Sequence, residues 1–104
     1  MITIEHMKAI LESAGYPVVY YAWPVGNAPD LPYICFLTDR TNNFAADNGV
    51  FYPVSHWQIE LYTRWKDPEA EGKVEKALSS LFWDKTEIYL DTERCFQILY
   101  EVEV

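Results

Sequence analysis

The stretch VSHWQIELYTRWKDPEAEGKVEKALSSLF, residues 54–82, limits the fold more than any other part of the chain. From Trp57 the residues alternate: Trp57, Ile59 and Leu61 lie on one side, and His56, Gln58, Glu60 and Arg64 on the other. This is the period of a half-buried strand. Asp67-Pro68 ends that strand and opens a helix, because the Asp67 carboxylate can cap free N–H groups and Pro68 has no N–H to leave unpaired at the first helical position. Beyond it Ala70, Val74, Ala77, Leu78, Leu81 and Phe82 recur at spacings of three and four, one apolar stripe along a helix. The strand's apolar side and this stripe can cover each other. Glu69, Glu71 and Glu75 are expected on the solvent side and first turns of this helix, where they favour its positive end and pair with Lys73 and Lys76.

The remaining elements follow from the same signals. Thr3 caps a helix expected from about Ile4 to Ala14, with Met7, Ile10, Leu11 and Ala14 on one face and Gly15 and Pro17 as its stop. Val18 to Trp23 is β-branched and aromatic and reads as a strand, ended by Pro24 and the turn-rich VGNAPD. Pro32 to Thr38 is a second strand. After the second helix, Thr86 to Leu90 and Cys95 to Val104 are strands joined by a turn at DTER. In the last strand Phe96, Ile98, Tyr100 and Val102 alternate with Gln97, Glu101 and Glu103, one covered and one wet face. The order α-β-β-β-α-β-β, in 104 residues, predicts a single α+β domain: a mostly antiparallel sheet with both helices packed on one face.

Residues 39–53, DRTNNFAADNGVFYP, are too polar for core. Asn48-Gly49 is the preferred centre of a two-residue hairpin turn, since both central positions take positive φ. Pairing Asp47 with Val50 then sets Phe36 opposite Leu61 and Thr38 opposite Ile59, with Ile34 on the same face. A long projecting hairpin and a loop of the same length both fit these residues.

Chemistry has little foothold. His6 sits in the first turn of helix one and His56 on the polar face of the central strand, each read as a surface or helix-start histidine because no partner for a catalytic base is placed beside it in the sequence. Asp39, Asp47 and Glu60 lack the alternate-oxygen spacing of a calcium loop. There is no glycine-rich phosphate loop. Cys35 and Cys95 are too few and too far apart for a metal cluster and are expected as reduced, buried thiols. Trp23, Trp65 and Trp83 lie at element ends, where core is favoured over interface. No metal, no cofactor and no catalysis are expected. The 16 acidic and 8 basic residues leave a formal charge of −8, which disfavours general affinity for DNA or anionic lipid. No apolar run approaches the roughly 20 residues that span a bilayer. The N-terminal residues fit no signal peptide, so synthesis in a cytoplasm is expected.

NNFAADNGVFY, HWQIELYTRWKDPEAE and the closing ILYEVEV resemble the small tail-completion, or tail-terminator, proteins of long-tailed bacteriophages and prophages. The likeness rests on Asn43 to Asp47, on Ile59 to Thr63, on Lys66-Asp67 with Glu71 opening the helix, and on Tyr100-Glu101. It covers roughly residues 33 to 104. The resemblance implies a structural, non-enzymatic virion-tail protein, made in the bacterial cytoplasm, that forms a ring, usually a hexamer. Such a ring caps the tail tube and joins it to the head connector, so the implied partners are further copies of the chain, the major tail-tube protein and the connector protein. With that reading Arg40, Asn43, Phe44, Asp47, Asn48, Phe51 and Tyr52 are the candidate assembly contacts. The alternative is a small cytoplasmic adaptor or regulatory module that dimerises through its sheet.

Overall fold

The computed structural model describes residues 2–46 and 49–104. In chain order the elements are α1 (Ile4–Glu12), β1 (Val18–Tyr20), β2 (Tyr33–Thr41), β3 (Phe44–Ala46), β4 (Gly49–Tyr52), β5 (Ser55–Thr63), α2 (Pro68–Ala77), β6 (Trp83–Leu90) and β7 (Cys95–Glu103). Five strands form one sheet in the order β1-β2-β5-β7-β6, antiparallel except where β1 runs parallel to β2. The segment predicted from residues 54–82 therefore stands at the centre, with β5 as the middle strand. This is the expected α+β arrangement, with β3 and β4 added at the tip of the β2–β5 hairpin.

Strand parity builds the core. Ile34 and Phe36 of β2 stand opposite Leu61 and Ile59 of β5, and Ile59, Leu61 and Trp57 stand opposite Tyr100, Ile98 and Val102 of β7. These side chains share one face and are almost wholly buried, together with Met7 and Leu11 of α1 and Ala70, Val74 and Leu78 at α2. Both helices thus cover a single side of the sheet. The caps form as their residue types require: Thr3 Oγ1 accepts from the His6 N–H at 3.0 Å, and Asp67 Oδ1 from the Ala70 N–H at 3.0 Å.

Several expectations are corrected. α1 ends at Glu12, where the Ser13 hydroxyl turns back onto the Ile10 carbonyl at 2.6 Å. β1 ends at Tyr20, because Tyr21 takes a positive φ of 71° and its N–H bonds the Phe36 carbonyl at 2.7 Å. α2 ends at Ala77; the tight turn from Leu78, whose carbonyl accepts the Leu81 N–H at 2.9 Å, leaves Phe82 87% exposed rather than on the stripe. β6 begins at Trp83, three residues early, with Trp83 opposite Val102 and edge-on to Tyr100 at 5.5 Å. Trp65 is exposed, while Trp83 packs against the core as expected. Glu71 is buried, not on the solvent side.

The long segment between β2 and β5 is a hairpin, and its register differs from the expected one by two residues. Phe36 stands opposite Ile59 and Thr38 opposite Trp57. A shift of two leaves every side chain on its expected face. Val50 stands opposite Ala45 and Gly49 opposite Ala46, where the expected register set Val50 opposite Asp47. The expected pairing of Asp47, and the Asn48 turn position, lie outside the described residues. Bulges between Thr38 and Arg40 on β2, and between the pairs Phe44–Tyr52 and Ala45–Val50, each insert one residue, Asp39 and Phe51.

Candidate interaction surface at the hairpin arm and the open sheet face

Among the described residues no helix covers the second face of the sheet; the segment at 21–31 borders Tyr33, Cys35, Tyr62 and Cys95 there, and the arm continues the two strands that run across the face. From Tyr33 to Ala46 a strand rising roughly 3.3 Å per residue covers about 43 Å. The long axis of the molecule is 49 Å, against 28 and 24 Å in the other directions. The arm accordingly accounts for the long dimension.

At the root of the arm the Asp39 bulge aims a carboxylate onto the open face. Its Oδ1 lies 2.6 Å from His56 Nδ1, and its Oδ2 accepts from Gln58 Nε2 at 3.3 Å and from Arg40 Nη1 at 3.1 Å. The hydrogen bond with His56 holds the Asp39 carboxyl below its ordinary value. His56 is 4% exposed, which corrects the surface histidine expected from the sequence: the partner it lacked in sequence is supplied by a bulge 17 residues away. Its other ring nitrogen, Nε2, lies 3.9 Å from Glu101 Oε2. Arg40, His56, Phe82, Asp84, Glu101 and Glu103 line a cavity of about 240 Å³ there. The dyad fixes the histidine ring, but the other lining residues are carboxylates, an arginine and a phenylalanine, with no hydroxyl or thiol for it to activate. Ion pairing and ring contact are what this arrangement can offer.

Further along the open face, Gln97 donates to the Tyr62 hydroxyl at 2.9 Å and that hydroxyl donates to Glu60 Oε1 at 2.8 Å. Burial, then the bond to Glu60, pushes the Tyr62 hydroxyl pKa upward. Trp23, Tyr33 and Tyr62 form an aromatic row with centroids 5.7 and 5.3 Å apart, beside a groove of about 380 Å³ that Glu93 also borders. Cys35 and Cys95 are free and buried beneath this face, as expected, and burial raises the Cys35 thiol to about 11.

The predicted contact residues fall along the arm. Arg40 and Asn43 are exposed, Arg40 lying opposite His56. Phe44 pairs with Tyr52, and Phe51 is the inserted residue beside that pair. Asp47 and Asn48 lie outside the described residues. The arm therefore brings Phe44 and Tyr52 together and sets Arg40 apart at the root. Sequence reading missed Asp39 as the histidine's partner; the only signal was an Asp at the start of a polar segment facing a strand with a histidine on its wet side. Among the described residues no group of three or more His, Cys, Asp or Glu side chains is placed to hold a metal ion, and no helix is long and apolar enough to cross a membrane.

No protein-family model matches the chain, and no curated protein matches it significantly.

Proposed function

We propose that this chain is a structural protein of a long-tailed phage or prophage tail, a terminator that assembles as a ring, usually a hexamer, caps the tail tube and joins it to the head connector. The observation that supports it is the arm: the central hairpin of a one-sided α+β sandwich runs on beyond the five-stranded sheet as a separate two-stranded sheet, which suits contact with another chain better than service to its own fold. Arg40, Asn43, Phe44, Asp47, Asn48, Phe51 and Tyr52 are the proposed contacts to neighbours or to the tube. The formal charge of −8 suits a passage through which DNA moves without adhering, since like charges do not hold the phosphate backbone. The test is addition of purified major tail-tube protein from the same genome, followed by sedimentation and negative-stain microscopy. Rings seated at tube ends are expected; failure to co-assemble sinks the proposal.

A second reading, a cytoplasmic adaptor that dimerises through its sheet, draws on a different observation, the long uncovered rim of β6.

A further inference from the structure

β6 is the outermost strand of the sheet, and Asp84 to Tyr89 are all exposed. The outward N–H and C=O groups of alternate residues along this eight-residue strand are a liability that proteins blunt with brevity, charge or a covering element. β6 is neither short nor free of apolar residues: Ile88 is 47% and Tyr89 48% exposed, and Phe82 just before the strand is 87% exposed.

The strand is complementary to itself. In an antiparallel pair of identical strands the two-fold axis, normal to the sheet, passes where one residue faces its own copy. An axis at Lys85 sets lysine against lysine, and one at Glu87 sets glutamate against glutamate. An axis at Thr86 sets threonine against threonine, Lys85 against Glu87 twice, Trp83 against Tyr89 twice and Phe82 against Leu90 twice. Each of these is a favourable cross-strand pair, while directly opposed like charges are unfavourable. Only Asp84 against Ile88 gains nothing. Trp83, Lys85, Glu87 and Tyr89 stand opposite Val102, Tyr100, Ile98 and Phe96 of β7, so they lie on the helix-covered side, and the same parity holds across the axis. Within one copy Lys66 already pairs with Glu87, and Lys85 with Glu71 at 2.7 Å. The second copy's Lys85 beside Glu87 extends this into one alternating row.

We infer that the outer rim of β6 pairs antiparallel with β6 of a second copy of this chain, about a two-fold axis through Thr86. The two five-stranded sheets become one continuous sheet with all helices on the same side. A single rim is small beside the roughly 1,600 Å² of a standard interface, so the association is concentration-dependent. It deepens the second reading, dimerisation through the sheet, and uses neither the arm nor the β1 edge, so a failure of the tail-tube test leaves it standing.

Sedimentation velocity on the full chain, from about micromolar to about millimolar concentration, is expected to show a monomer–dimer equilibrium; a monomer throughout overturns the inference. Thr86→Cys is expected to form a disulfide-linked dimer on mild oxidation, with the wild-type chain and its two buried thiols as the control. Ile88→Cys is not, because two residues on each side of the axis separate its copies by roughly 13 Å along the strand, too far for a disulfide. Absent crosslinking at Thr86, or equal crosslinking at Ile88, rejects the register. Glu87→Lys replaces two attractive pairs by two repulsive ones and is expected to weaken the dimer about tenfold, less so at high salt. An unchanged dissociation constant in a variant with an unchanged circular-dichroism spectrum also overturns it.

Discussion

Glu71 is 3% exposed, yet its carboxylate meets Lys66 Nζ at 2.7 Å and Lys85 Nζ at 2.7 Å. Burial by itself raises such a group, but the two ammonium groups outweigh it and hold the Glu71 carboxyl below its ordinary value. Lys85 also reaches Glu75 Oε2 at 2.8 Å, to which Tyr100 donates at 2.8 Å, so the carboxylates and lysines tie α2 to β6 and β7. Glu71→Gln keeps the volume and removes the charge on which both lysines converge. Breaking a buried pair costs roughly 3–5 kcal/mol, and the half-exposed Lys66 regains water, so a loss of about 2–3 kcal/mol is expected in urea denaturation at pH 7. Leu61→Ala, in the middle of β5 and fully buried, should cost about 2–5 kcal/mol in the same measurement by leaving a cavity. The Leu61 result was legible in the sequence, because alternation alone assigns its face. Glu71 was not: local rules pair it with lysines on its own helix, while its actual partners come from the β5–α2 connection and from β6. Its spacing of three from Val74 and seven from Leu78 was the available signal that it sits beside the apolar stripe.

At the level of elements, the strand–cap–helix unit was readable because each step is local: alternation, a capping aspartate, a proline at the first turn, a stripe. The arm was readable only in part. Asn-Gly named a turn, but the strands are already two residues from the expected register at the Ala46–Gly49 pair, and the bulges at Asp39 and Phe51, one on each strand, cancel; nothing in the residues around either announces an inserted position. The Asp39 bulge offsets the one at Phe51 and makes the Asp39–His56 pair. Beyond Thr41–Ser55 the arm forms its own two-stranded sheet, β3-β4, apart from the five-stranded one, so it should be separable from the fold. Replacing residues 42–54 by Asn-Gly, a turn suited to close the Thr41–Ser55 pair, is expected to shift the thermal midpoint by only a few degrees, corresponding to under about 1 kcal/mol. The same variant should fail to join tail tubes. A variant that unfolds would show that the arm belongs to the core, and one that still assembles would take the proposed contacts off the arm.

For the whole molecule, the pKa directions define a stability window. Glu71 is depressed from 4.5 and Asp39 from 3.8, so their stabilising effect is complete above those values and is lost as acid protonates the folded state. The alkaline limit has the opposite sign. Cys35 rises from 9.0 to about 11, and Tyr62 and Tyr100 rise from 10.0. Above pH 9 the unfolded chain ionises its thiols while the folded chain keeps Cys35 neutral, which favours unfolding; the tyrosines add to this above pH 10, and Lys66 and Lys85, raised from 10.5, lose their pairing later still. Urea midpoints should therefore be flat from about pH 5 to 8 and fall on both sides, with the alkaline fall beginning before any lysine titrates. Cys35→Ala isolates the first step. Its stability at pH 7 should drop through lost packing, but its decline between pH 9 and 11 should be shallower than that of the parent by about 2 kcal/mol, the value of a thiol shift of this size. Parallel alkaline limbs for the two proteins would mean that the thiol is not held neutral beneath the open face, and that water reaches the sheet there.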